Sequence, residues 1–150
     1  MTPRLAKPEE LDAVLTLIQT SFAYMEDRID PPSSMHKLTV EVLADPACEV
    51  WVMGEPPVAC CVLTPMADAL YLGKLAVAED HRASGFGRVL VEFAASRAET
   101  LGLRVVELQA RVELTENHAA FKRMGFRKVG ETAHPGYDRP TSITMRRELA

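Results

Sequence analysis

The sequence predicts a single α/β domain built on a mixed β-sheet, and three observations carry that prediction. Residues 71–77 form an apolar run of strand length. Residues 86–101 then place Phe86, Val89, Leu90, Phe93, Ala94 and Leu101 on one helical face, and residues 104–109 return to strand character. A helix between two strands lets them lie parallel through a right-handed crossover. With 150 residues, 47% hydrophobic and 25% charged, the chain suffices for one well-packed core, so residues 1–150 are expected to form one domain.

Taken in order, residues 4–6 read as a short first strand. Pro8, Glu9 and Glu10 open a helix, where proline and acidic side chains are favoured, and Leu11, Val14, Leu15, Ile18 and Phe22 mark its buried face to an end near Tyr24 or Met25. Asp30-Pro31-Pro32 breaks the chain. Ser33-Ser34 is expected to cap a second helix carrying Met35, Leu38, Val42 and Leu43, which stops before Asp45-Pro46. Residues 48–53 alternate like a strand, Gly54-Glu55-Pro56 turns, and residues 58–64 complete a hairpin. Residues 65–68 turn into the central strand, making three antiparallel strands in succession. Past the long helix, Gly102 stands where a helix C-terminus favours glycine. A helix around residues 117–124 ends at Gly125, followed by strands at 126–131 and 141–148.

The central strand runs into a polar loop, residues 78–84, and then Gly85-Phe86-Gly87 at the start of the long helix. The first N–H groups of a helix have no intrahelical partner, the macrodipole is positive there, and glycine lets a ligand approach the backbone. Such an end suits phosphate. A dinucleotide-binding turn is disfavoured because Leu90 stands at the third glycine position and the loop is too long. No Gly-Lys-Ser or Gly-Lys-Thr of a nucleotide-triphosphate loop is present either.

Arg82-x-x-Gly85-x-Gly87 on a strand–loop–helix resembles the acyl-CoA pyrophosphate loop of the GNAT superfamily of N-acetyltransferases. The usual form of that loop is Arg or Gln, two residues, Gly, one residue, then Gly or Ala. The segment from Asn117 to Phe126 resembles the same superfamily's C-terminal motif, a helix ending in Gly-Phe. The resemblance has motif support over roughly residues 70–130 and implies a twisted, mixed sheet of six or seven strands flanked by helices on both faces. It implies acetyl-CoA as cofactor, CoA as product, and transfer of the acetyl group to a primary amine of a small molecule or peptide by direct attack. A homodimer follows from family habit alone.

Carried over residue by residue, the backbone of Leu75, Ala76 and Val77 would hold the pantetheine arm. Arg82, with amides from Ala83, Ser84, Gly85, Phe86, Gly87 and Arg88, would hold pyrophosphate. Asn117, Phe121 and Arg123 on the second motif's helix would face the cofactor. Two departures stand out. The tyrosine often credited as the acid that reprotonates CoA is Phe121 here, and the family's usual Asn position is Leu114, with Asn117 three residues later. The candidate catalytic residues are therefore Tyr137, near His134 in the loop before the last strand, as substitute acid, and Glu107 or Glu113 as bases acting through water. Glu26, Asp27 and Asp30, on the segment that forms one acceptor wall in the family, either attract a cationic amine or are solvated loop charges. A non-catalytic acyl-CoA-binding module is the alternative reading.

Other classes are disfavoured. A net charge of −4 argues against a nucleic-acid binder, and no run approaches the ~18 apolar residues of a membrane span. The four histidines are scattered without metal-ligand spacing, so no metal is expected. Cys48, Cys60 and Cys61 lack Cys-x-x-Cys spacing, and adjacent strand residues point to opposite faces. They read as reduced thiols with a cytoplasmic address.

Overall fold

The computed structural model describes residues 1–23 and 25–149. The strands are β1 (Arg4–Leu5), β2 (Glu49–Met53), β3 (Ala59–Pro65), β4 (Leu70–Val77), β5 (Val105–Arg111), β6 (Arg127–Thr132) and β7 (Ser142–Glu148). The α-helices are α1 (Leu11–Ala23), α2 (Val40–Leu43), α3 (Phe86–Thr100) and α4 (Thr115–Arg123). All seven strands join one mixed sheet in the order β1-β2-β3-β4-β5-β7-β6. The expected α/β architecture is present, including the parallel β4–β5 pair joined through α3.

Strand alternation divides the core into two layers. On one face Leu11, Val14 and Ile18 of α1 and Leu43 of α2 pack on Val50, Val52, Cys60, Val62 and Ala76. On the other, Leu90, Val91, Ala94 and Ala98 of α3 cover Leu63, Leu70, Leu72, Val106 and Leu108, with Phe121 of α4 against the same layer. Fully burying a leucine or valine side chain contributes roughly 1.5–3 kcal/mol, so these stripes clamp the sheet from both sides. Cys60 and Cys61 fall in different layers, and all three cysteines are free thiols. At the sheet edge, Arg4 makes a two-bond ion pair with Glu10 at 2.7 and 2.8 Å and donates to Gly54 O at 3.0 Å, tying β1 to the start of α1 and to the hairpin turn.

Two details differ from expectation. The helix expected over residues 34–43 is divided: a 3-10 turn over Ser34–Lys37, capped by the Ser33 hydroxyl, ends at Leu38, whose ψ of 144° is extended. Helix α2 then starts afresh from Thr39, whose hydroxyl accepts from Val42 N–H. The threonine's own side chain offers a local bond that competes with helix continuation. Helix α1 ends at Ala23, while Tyr24, one of its two expected ends, lies outside the described residues.

The seam between β4 and β5 positions everything that follows. Their ladder contains only Leu70↔Val106 and Tyr71↔Glu107. Beyond those pairs the strands part, although β5 stays paired with β7 as far as Arg111↔Ser142. Strand β4 also carries a bulge, because three steps from Gly73 to Ala76 match two from Cys60 to Val62 on β3. Lys74 takes up the extra length with φ 52°, a left-handed conformation costing a non-glycine residue about 1–2 kcal/mol.

Candidate functional site

The gap between β4 and β5 widens into a cleft of about 670 Å3. One wall is the open edge of β4, from Tyr71 through Gly73, Lys74 and Leu75 to Ala76 and Val77. The facing wall is Leu108, Gln109, Ala110 and Arg111 of β5, continued by Leu114, Asn117 and Phe121 at α4. Phe22, Met25, Ile29 and Met35, around the end of α1, form an apolar side, and Thr132 at the end of β6 with Ala133, His134 and Pro135 of the β6–β7 loop line another. Arg82 and Gly87 stand at the mouth.

The mouth is shaped by the start of α3. Residues 79–84, expected as a loop, wind into a 3-10 turn, and Gly85 caps α3 with φ 83°, a conformation that favours glycine. Val89 N–H bonds to Gly85 O at 3.1 Å, so the amides of Phe86, Gly87 and Arg88 precede the first intrahelical bond. A Cβ on Gly85 would meet nothing within 4 Å, and one on Gly87 would come no closer than 3.9 Å to Val77. Open space therefore fronts a positively polarised helix end, and a phosphate group fits there. Phe86 stacks on His81 with ring centroids 5.8 Å apart, and Arg82 Nε donates to Val77 O at 3.4 Å.

Of the expected cofactor residues, Leu75, Ala76, Val77, Arg82, Gly87, Asn117 and Phe121 line the cleft together. Ala83, Ser84, Gly85, Phe86 and Arg88 frame the mouth without lining it, and Arg123 lies exposed in the last turn of α4. None of the three expected catalytic residues lines the cleft. Glu107 is ion-paired to Arg146 Nε at 2.9 Å, and Arg146 also reaches Asp68 at 3.0 Å. Tyr137 donates its hydroxyl to Asp30 Oδ1 at 2.7 Å, which raises its pKa, while Arg139 reaches Asp30 Oδ2 at 2.9 Å. Glu113 accepts from Asp30 N–H through Oε2 at 3.1 Å, and its buried Oε1 has no partner among the described residues. Near the same rim, Arg28 donates to Glu116 at 2.9 Å and holds that carboxyl at about 2. Asp30 is thus a clasp between two loops, and Glu26 and Asp27 remain exposed.

Lys74, Gln109 and Arg111 are lining residues that were not among the expected site residues. Period-2 alternation from Glu107 puts Gln109 and Arg111 on one face of β5, and that signal was available in the sequence. Arg111 donates to Pro31 O at 2.7 Å and Pro32 O at 3.2 Å, joining β5 to the wall beyond α1. The charged lining side chains are all cationic, Lys74, Arg82 and Arg111, and no carboxylate lines the cleft among the described residues. Burial and, secondarily, Glu107 raise the pKa of Tyr71, keeping its phenol protonated at neutral pH.

A sheet parted beside a glycine-fronted helix end defines the class of acyl-CoA N-acyltransferase folds. The Acetyltransferase (GNAT) family profile matches residues 11–126, and the chain belongs to that family. Its fold is that of solved family structures. The ribosomal-protein-S18-alanine N-acetyltransferase from Escherichia coli aligns at 19% identity and TM-score 0.72, over 99% of this chain and 94% of that one. Ard1 from Thermoplasma volcanium aligns at 20% identity and TM-score 0.77, over 99% and 97% of the two chains. An aminoglycoside 6'-acetyltransferase type Ii aligns at 18% identity and TM-score 0.77, over 100% and 98%. No curated protein is similar enough in sequence to match it.

Proposed function

We propose that this protein transfers an acetyl group from acetyl-CoA to a primary amine of a small molecule or peptide. The observation that carries the reading is the parted β4–β5 seam opening directly onto the Gly85–Gly87 end of α3. Bound acetyl-CoA would supply an activated acyl thioester. The α3 amides and Arg82 would hold its pyrophosphate, and Ala83, Ser84 and Arg88 would frame that contact. The free edge of β4 at Leu75, Ala76 and Val77 offers backbone groups to an extended arm, and Asn117 and Phe121 face it from α4. Catalysis then rests on alignment, donors for the developing oxyanion and a route for one proton.

The lining also bears on the acceptor. An apolar side of Phe22, Met25, Ile29 and Met35 suits an amine with an apolar body, while Glu26, Asp30 and Glu113 lie near enough to act on the cationic Arg111 of the lining. Tyr137, through Asp30, shapes that acceptor wall. The free cysteines suit a reducing, cytoplasmic compartment. A homodimer is proposed on family habit, and light scattering measures it directly.

One observation favours the alternative, a non-catalytic acyl-CoA-binding module: Phe121 stands in the cleft at the family's usual acid position. Calorimetric titration with acetyl-CoA and CoA, with ATP and NAD as controls, tests the shared binding step. Release of free CoA with phenethylamine or a short peptide as acceptor separates the enzyme from the sensor. No binding of either CoA species would refute both.

A further inference from the structure

We propose that His134 is the proton acceptor of the transfer, its Nε2 turned to the cleft by a hydrogen bond from Nδ1–H to Thr141; the inference rests on the acetyl-transfer reading above. The cleft lining narrows the choice. Its side chains that can carry a proton at neutral pH are Tyr71, Lys74, Arg82, Arg111 and His134. Lysine and arginine side chains are donors with no acceptor lone pair to offer, and the half-buried phenol of Tyr71, its pKa raised, keeps its proton. Glu107 is paired elsewhere, and neither Glu113 nor Tyr137 lines the cleft. Only the imidazole exchanges a proton readily in this range.

Hydrogen-bond accounting around Thr141 sets which nitrogen is available. Thr141 is fully buried, so its hydroxyl is expected to be hydrogen-bonded within the protein. Oγ1 accepts from the His134 backbone N–H at 2.9 Å, lies in direct hydrogen-bonding contact with His134 Nδ1, and points its own proton at Thr132 O, 3.4 Å away. With that proton committed to Thr132, the contact with the ring is a donation from Nδ1–H. The alternative, Thr141 donating to Nδ1, leaves one lone pair of a buried oxygen unused. Nε2 then carries the lone pair and has no partner among the described residues.

The charged groups acting on the ring come from β5 and the segment after it. Burial first, then Arg111, lowers the His134 pKa against the opposing pull of Glu113, so the imidazole is neutral at pH 7. The proton balance closes. The amine nitrogen bonds to the acyl carbon as its proton passes to Nε2. The C–S bond breaks with its electron pair on sulfur, and the imidazolium returns the proton to that sulfur. His134 ends neutral, and the net products are the amide and the free thiol.

Nitrogen-15 NMR of the imidazoles in the whole protein tests this without any acceptor, with His134→Gln identifying the signals. The expected result is an Nδ1–H ring, neutral at pH 7, with a midpoint below 6.5. Thr141→Val should mix the tautomers and Thr141→Ser should preserve them. With phenethylamine as probe, His134→Gln should lower turnover at least about 100-fold, abolish the acidic limb of the pH profile and leave calorimetric CoA affinity unchanged. An Nε2–H ring, a ring charged at pH 7, or wild-type turnover in His134→Gln overturns the assignment of His134 alone. Absence of CoA binding by the unmutated protein overturns the acetyl-transfer reading beneath it.

Discussion

Gly87→Ala separates a folding effect from a binding effect at one atom. Gly87 is the second residue of α3, and a Cβ there meets only Val77 at 3.9 Å, ordinary van der Waals contact. The fold therefore tolerates alanine, and restricting the unfolded chain at a compatible position stabilises by about 0.4–1 kcal/mol. For 150 residues the unfolding entropy is roughly 0.3 kcal/mol/K, so Tm should rise by about 1–3 °C. The same methyl group projects into the space where a phosphate oxygen would approach the α3 amides. Losing one charge-assisted hydrogen bond costs about 1.5–3 kcal/mol, equivalent to roughly 10- to 150-fold weaker CoA binding. Differential scanning and titration calorimetry on one preparation measure both quantities. A raised Tm with unchanged CoA affinity would show that the phosphate does not sit at this helix end.

Three further outcomes follow from the geometry. Tyr137→Phe removes the hydroxyl bond to Asp30 and should raise KM for the amine with kcat and CoA affinity nearly unchanged; a tenfold fall in kcat at constant KM would make Tyr137 the acid instead. The hydrogen bond from Arg4 holds the Glu10 carboxyl at about 2, below its unfolded value near 4.5. That stabilisation is complete above pH 4.5 and is lost as pH falls toward 2, so Glu10→Gln should flatten this part of a stability-versus-pH curve, and an unaltered slope would contradict the pairing. Burial pushes the Cys60 thiol up to about 12 and raises Cys61 as well. In the folded protein a thiol-reactive dye should therefore label at most Cys48, reaching three thiols only in denaturant, and early labelling of Cys60 would count against the two-layer core.

The fold was legible wherever local pattern and tertiary demand agree. The strand–turn–helix from Leu70 to Thr100 combines an apolar run, a glycine needed for φ 83° and a helical stripe. The second helix was misread because Met35, Leu38, Val42 and Leu43 keep helical spacing across a break created by Thr39 capping its own turn. The bulge left no mark, since the residue in the left-handed conformation is Lys74 and not glycine. The glycine-fronted start of α3 was readable because a short motif brings its own backbone conformation. The pairing of the titratable side chains around the cleft was not, because it depends on partners distant in sequence. Glu107 reads as an available carboxylate until Arg146 is folded beside it, and Arg111 joins the site through carbonyls at Pro31 and Pro32. His134 is distinguished from the other histidines only by Thr141 beneath its ring and by the cleft in front of it.

The short β4–β5 ladder bears on the protein's persistence as well as its chemistry. Two residue pairs make up the β4–β5 ladder between the four strands on one side of the sheet and the three on the other, so beyond it two strand edges face each other across a cleft in the middle of the molecule. Such edges attract foreign strands and are the natural starting point for local opening. A ligand that spans them replaces the missing ladder, and at a hundredfold excess over Kd it adds about 2.7 kcal/mol to the stability of the whole sheet. Folded lifetime, resistance to proteolysis and resistance to aggregation would then rise and fall with the supply of that ligand, and the protein's abundance would follow it.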